Sequence, residues 1–155
     1  MICRRLRVLL SAFSRYLREM TMKFTTITLD DCLDIRHPVL WPQLPREASR
    51  VEGDDDAQHF GVLHNGKPVS CLSVFMLDAS VCQIRKFATL KMYQRQGFGR
   101  FLFQSVLEKM AEAGVHEVCL DARIGAVNFY TKFGFRPEGE HFFKKGVEYV
   151  RMARR

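Results

Sequence analysis

The 155 residues suffice for one domain, at roughly 100–200 residues per domain, and a chain of this length buries about 68–70% of the surface it exposes when unfolded. A hydrophobic fraction of 47% beside 26% charged residues excludes intrinsic disorder, and no run of about 18 apolar residues is present to span a membrane. The formal charge of +7 is unevenly placed: residues 1–20 hold five arginines against Glu19, a net +4, which leaves +3 on residues 21–155. A mildly basic body argues against nucleic-acid binding, for which clustered basic residues with exposed aromatics are expected.

The five cysteines (Cys3, Cys32, Cys71, Cys82, Cys119) are odd in number and form no C-x-x-C, which argues against a disulfide framework or a zinc knuckle and for a reducing cytoplasm. Cys71, Cys82 and Cys119 sit in strand-like apolar stretches, where cysteine serves as a small buried hydrophobe. His59 and His64 are too isolated to argue for a metal.

At the start of the chain, Leu6, Leu9, Leu10, Phe13, Tyr16 and Leu17 fall at helical spacing with arginines between them. The composition fits a mitochondrial-type transit peptide or a basic amphipathic surface helix. The plainer reading is an extension upstream of a start at Met20 or Met22, so residues 1–21 are set apart and residues 22–155 are read as one domain.

Lys23–Leu29 is β-branched and reads as a strand; Asp30 or Asp31 then caps a short helix that His37-Pro38 ends near Arg36. Residues 38–58 are irregular, with one short helix around Arg46–Val51 and an acidic run of Glu52, Asp54, Asp55 and Asp56 that reads as a solvated loop or a lure for a cationic amine. Leu40 to Pro45, with Trp41, either lines an acceptor pocket or anchors the core. His59–His64, Asn65-Gly66 and Pro68–Leu77 read as a hairpin, because Asn-Gly is the strongest two-residue hairpin signal. Val81–Ala88 is a further strand.

From Gly97 to Ala113, Phe98, Phe101, Leu102, Val106 and Met110 repeat every three or four residues, and Gly114 stands at the stop of that helix. Val115–Leu120 is a short strand and Ile124–Phe133 a helix ended by Gly134. Phe135–Glu140 and Val147–Met152 are a strand pair that turns at Lys144-Lys145-Gly146. The order is that of a single-domain mixed α/β sheet with no internal repeat.

The stretch from Arg85 to Arg100 carries the chemistry. A strand runs into a loop with Gly97 and Gly99, and a long helix starts there, so backbone N–H groups and a positive helix end converge on one spot. Glycines let an anion approach the backbone, and Lys91, Arg95 and Arg100 add charge. The dinucleotide fingerprint lacks its third glycine, where Leu102 stands, and the Walker pattern lacks Gly-Lys-Ser/Thr. By itself the loop is equally a tight strand-to-helix turn.

Gln94-x-x-Gly97-x-Gly99 after a strand resembles motif A of the GCN5-related N-acetyltransferases, and the later Ala126-x-x-Phe129-Tyr130-x-x-x-Gly134-Phe135 resembles that family's second signature. Within the family the chain looks most like the small ElaA/YjcF-type members. The resemblance implies a mostly antiparallel mixed sheet with a splayed central strand, flanked by helices, and transfer of an acetyl group from acetyl-CoA to an amine by direct attack in a ternary complex. It places the CoA pyrophosphate on the backbone of Gln94, Arg95, Gln96, Gly97, Phe98, Gly99 and Arg100, and the pantetheine arm along Phe87, Ala88 and Thr89. A free N–H of Phe87 or Ala88 would polarise the thioester carbonyl, a contact that contributes about 2.7–4 kcal/mol to a transition state. Tyr130 falls on the general-acid position beside the CoA sulfur. The family's pantetheine-contacting Asn is replaced here by Arg123, and Asn128 is a weaker CoA candidate.

His64, His116, His141, Asp78 and Asp121 are each able to take the proton of the amine, and none is singled out. The acceptor implied is a small-molecule amine rather than a protein amino group, and the family's strand-mediated dimers imply a homodimer. A non-catalytic acyl-CoA-binding module is the alternative, and Tyr130 separates it from an enzyme.

Overall fold

The computed structural model of the chain describes residues 4–155, so Cys3 lies outside the described residues. Seven strands, β1 (Met22–Thr26), β2 (Gln58–His64), β3 (Lys67–Met76), β4 (Val81–Thr89), β5 (Glu117–Arg123), β6 (Arg136–Lys144) and β7 (Val147–Arg154), form one sheet in the order β1-β2-β3-β4-β5-β7-β6. All neighbours run antiparallel except β4 and β5. The helices are α1 (Arg4–Thr21), α2 (Leu29–Leu40), α3 (Phe98–Glu112) and α4 (Val127–Thr131).

Both expected hairpins close as two-residue turns with positive φ at each central residue: Asn65 and Gly66 at 50° and 78°, Lys145 and Gly146 at 49° and 77°. Those values belong to the turn whose twist matches paired strands. α3 lays Phe98, Leu102, Phe103, Val106 and Met110 against Phe60, Leu72, Ile84 and Leu120, which makes one buried core. α2 covers the other face of β3 and β4, where Cys32 and Ile35 meet Cys71 and Ala88. Cys32, Cys71, Cys82 and Cys119 are all buried free thiols.

Five expectations need correction. The first strand stops at Thr26, and Thr28 rather than an aspartate caps α2: its hydroxyl accepts from the Asp31 N–H at 3.0 Å, while Asp31 accepts from the Thr28 N–H at 3.0 Å. A capping box of this kind satisfies two amide groups at once. α2 also runs through Pro38 to Leu40. Pro38 and Asp34 are both exposed, so the carbonyl that loses its bond to the missing proline N–H faces water. The expected helix Ile124–Phe133 is a 3₁₀ turn, Ile124–Ala126, followed by the five-residue α4. The Tyr130 carbonyl ends it by accepting from Phe133 N–H at 2.9 Å and Phe135 N–H at 3.3 Å.

The fifth correction concerns one residue of the acidic run, whose Glu52, Asp55 and Asp56 are exposed as expected. Asp54 is not solvated: it is buried against Arg36, which donates to its two carboxylate oxygens at 2.7 and 2.9 Å. Arg36 also donates to Ser73 Oγ at 2.7 Å, and His59 shares that hydroxyl at 2.6 Å. Asp54 therefore ties α2 to the sheet and is not available to attract a substrate.

A cleft comes from one break in the sheet. β4 and β5 pair only from Val81 to Gln83, opposite Glu117 to Cys119. Beyond that point β5 pairs with β7 as far as Arg123, whereas β4 follows β3 to Thr89. The two strands diverge, and the gap opens at their C-terminal ends.

Candidate active site

The start of α3 is left without a side-chain cap. Gly97 is its N-cap, with φ 93°. The first N–H groups of a helix have no intrahelical acceptor, and the first turn here holds no acid, so these donors and the positive helix end stay available. The loop before it is pinned: Gln94 Nε2 donates to the Thr89 carbonyl at 2.9 Å and Gln96 Nε2 to the Met92 carbonyl at 2.7 Å. A Cβ on Gly99 would meet Thr89 Oγ1 at 3.2 Å and the Phe87 ring at 3.3 Å, so glycine here lets α3 close onto the end of β4.

β4 carries a bulge at the same place. Cys71 pairs with Ala88 and Ser73 with Arg85, so Leu72 alone faces Lys86 and Phe87. Lys86 takes φ 56°, a left-handed conformation that costs a non-glycine residue about 1–2 kcal/mol. Bulges re-aim side chains and leave ladder groups unpaired.

Two cavities meet across this bulge. One, of about 570 Å³, runs below the start of α3 and is lined by Phe87, Ala88, Thr89, Gln94, Arg95, Gly97, Gly99, Arg100 and Tyr130. The other, of about 480 Å³, fills the gap between β4 and β5; Trp41, Lys86, Asp121, Arg123, Lys144 and Tyr149 are among its walls. Val39, Phe87, Gln94, Ala126 and Tyr130 line both.

Tyr130 is held at this junction by aromatic packing. Phe103, fully buried, contacts the rings of Phe87, Phe129, Tyr130, Phe133 and Phe135 at centroid distances of 4.9–5.7 Å, which joins α3, α4, β4 and the approach to β6. Burial pushes the Tyr130 phenol up to about 12, with the nearby Arg123 charge pulling the other way. The phenol therefore remains protonated, a donor, at any pH in which the protein would work.

Nine of the expected site residues thus line one groove. Gln96 and Asn128 are exposed and line neither cavity, and the Phe98 ring is buried in the core beside Tyr93 and His64. Of the proton-acceptor candidates, Asp121 alone lines a cavity, with Lys144 donating to it at 2.7 Å. His141 pairs with Glu148, Asp78 closes the turn before β4, and His64 lies against Tyr93. Trp41 is a cavity wall. Sequence reasoning did not single out Lys86, Lys144 or Tyr149 as site residues, because only the β4 bulge and the β6–β7 turn bring them together.

A sheet that opens at a β4 bulge, with an uncapped helix start on one side and a second cavity on the other, has the layout of an acyltransferase. The comparisons agree. The acetyltransferase (GNAT) domain family matches residues 38–155. A Bacillus subtilis protein, YitI, described as an uncharacterized N-acetyltransferase, is 31% identical over 134 residues, covering 81% of this chain and 90% of that one. YjcF of the same organism is 26% identical, covering 81% and 91%. The Escherichia coli ElaA structure superposes with a TM-score of 0.73 at 22% identity, over 86% of this chain and 99% of that one. A GNAT-family acetyltransferase from Elizabethkingia anophelis with acetyl-CoA bound gives 0.68 at 15% identity, over 86% and 97%. The chain belongs to the GCN5-related N-acetyltransferase family and is an acyltransferase.

Proposed function

We propose that the protein transfers the acetyl group of acetyl-CoA to a primary amine of a small molecule, by direct attack with both substrates bound. The observation that carries this reading is the pair of cavities meeting at Phe87 and Tyr130, one with an uncapped helix start and the other with none. Acetyl-CoA brings the activated thioester; the chain's residues bind, orient and move protons. The amides of Gly97, Phe98, Gly99 and Arg100, with Arg95 and Arg100, hold the pyrophosphate. The main chain of Phe87, Ala88 and Thr89, which lost its β5 partner, pairs with the pantetheine amides. Ala88 has a pairing partner on β3, Cys71. Phe87, opposite no pairing residue of β3, is left as the donor to the thioester oxygen.

As the amine nitrogen bonds to the acetyl carbon, the carbon–sulfur bond breaks. Tyr130 gives its phenol proton to the departing sulfur and regains one from solvent, while the amine's own proton leaves through the cavity lined by Asp121. Direct attack fits the site, since no cysteine lines either cavity, and burial pushes Cys82 up to about 11 and raises Cys119, which makes these two poor nucleophiles. A cavity of about 480 Å³ suits a small acceptor, since pockets for such ligands span roughly 300–1,000 Å³. Residues 22–155 would form the catalytic domain. Among the described residues no helix is long and apolar enough to cross a membrane. The buried free thiols support a reducing compartment such as the cytoplasm.

The test is titration calorimetry of acetyl-CoA and of CoA into the full chain, with and without Gly97→Glu. Saturable binding that the substitution abolishes is the expected result. A folded wild type that binds neither would overturn the reading.

A further inference from the structure

The cavity between β4 and β5 carries more positive charge than it can neutralise. Arg85, Lys86, Arg123 and Lys144 line it against one carboxylate, Asp121, which Lys144 already occupies at 2.7 Å. Lys86, from the β4 bulge, and Lys145, from the β6–β7 turn, place their ammonium groups over the same Trp41 ring, at 5.8 and 4.7 Å from its centre. Among the described residues no carboxylate lies within ion-pair distance of Lys86, Lys145 or Arg123.

Two ammonium groups at one indole ring, neither paired with an acid, repel each other, and Lys86 is the half-buried one. The indole's own attraction for a cation, about 0.5–2 kcal/mol, is a weak counterweight. Burial, with the neighbouring Arg36, Arg85 and Lys145 charges, lowers the Lys86 ammonium to about 8, so its charge is costly where it stands. Lys86 is also held at φ 56°, where glycine would bend the strand without strain. Backbone strain of this sort persists where the side chain so aimed has a task. An arriving anion would meet both ammonium groups and relieve their repulsion.

We propose that the acceptor amine also carries an anionic group, a carboxylate or a phosphate, which Lys86, Lys145 and Arg123 hold in this cavity. This rests on the acetyltransferase reading above and names its substrate class. Asp121, the one acid present, faces the ammonium end of the same molecule. The cavity's charge thus runs opposite to what a polyamine acceptor would need.

The test compares four three- or four-carbon amines as acceptors for the full chain: 3-aminopropylphosphonate, 4-aminobutyrate, 3-aminopropan-1-ol and 1,3-diaminopropane. In parallel, calorimetry measures 3-aminopropylphosphonate and 4-aminobutyrate binding at saturating CoA, for the wild type, Lys86→Gly, Lys86→Met and Arg123→Gln. Lys86→Gly suits the left-handed backbone, so its fold does not depend on the lost side chain. The expected result is a kcat/KM at least tenfold higher for one or both anionic amines than for the neutral one, the diamine being poorest. Each variant is expected to weaken anion binding about tenfold with CoA affinity unchanged, and the better of the two anionic probes tells phosphate from carboxylate recognition. Preference for the neutral or dicationic amine would overturn the proposal, as would anion binding that CoA displaces, since the cations would then serve the CoA phosphates. Lys86-dependent anion binding without acetylation of any amine would uphold the anion site and overturn the acetyltransferase reading instead.

Discussion

Arg36 and Asp54, 18 residues apart in sequence, meet in a two-pronged ion pair whose side chains are 0% and 1% exposed. Burial by itself would raise the Asp54 carboxyl; the Arg36 hydrogen bonds, the Val51 N–H at 2.8 Å and the Arg36 charge outweigh it and hold the carboxyl below its usual range. The pair joins α2, which carries Trp41 at its end, to the loop before β2. Removing one partner strands the other charge in the interior. Asp54→Ala is therefore expected to lose about 3–5 kcal/mol of stability, read by denaturant unfolding. Because the folded carboxyl is held low, its contribution is complete above the unfolded value near ~3.9 and is lost as pH falls through the folded value. Wild-type stability should drop on that acid limb more steeply than that of Asp54→Asn, and equal slopes would remove Asp54 from the account.

Tyr130→Phe keeps the ring packing on Phe103 and removes only the phenol. We expect kcat to fall about 10²-fold or more, with CoA affinity unchanged in calorimetry. Since burial pushes the phenol up to about 12, Tyr130 should impose no loss of rate between pH 7 and about 10. A basic limb near pH 9 that disappears in Tyr130→Phe would contradict this placement.

Phe103 is the hub through which α3, α4 and β4 hold Tyr130 in place. Phe103→Ala should cost about 3–5 kcal/mol, as full removal of a buried aromatic does. Activity per folded molecule should fall as well, through kcat more than through the KM for acetyl-CoA, because the cradle at Gly97 does not touch this ring. Loss of stability with kcat intact would reduce Phe103 to a packing residue.

The Lys86 ammonium, lowered to about 8, predicts how the anion site responds to pH. Arg36 from α2, Arg85 on β4 and Lys145 from the β6–β7 turn face it with like charge, and Asp54 opposes them more weakly. A bound carboxylate needs the charged form, so 4-aminobutyrate affinity should fall as pH rises through about 8. Stability of the free protein runs the other way: the folded state binds fewer protons than the unfolded one between about 8 and ~10.4, so stability rises across that window. The same titration in Lys86→Met should lack the step centred on pH 8. An identical step in that variant would assign it to another group.

The local pattern decided a large part of this protein. Asn65-Gly66 and Lys145-Gly146 set their own turns, the three- and four-residue repeat from Phe98 to Met110 set α3, and Gly97 with Gly99 marked the helix start where an anion can sit. Each depends on residues within one turn or one helix face, where backbone preference and apolar spacing act directly. Tertiary structure decided the remainder. The bulge at Lys86 exists because Leu72, on another strand, faces two residues, and the cleft opens because β4 stays with β3 while β5, paired along its other edge with β7, leaves β4 after three residues. Asp54 looked like part of a solvated acidic run until Arg36 and Ser73 enclosed it. Lys86, Lys145 and Trp41 share no sequence pattern at all. Their convergence follows from strand pairing and a turn reaching across the cleft, and charges brought together from distant segments leave no periodicity to read.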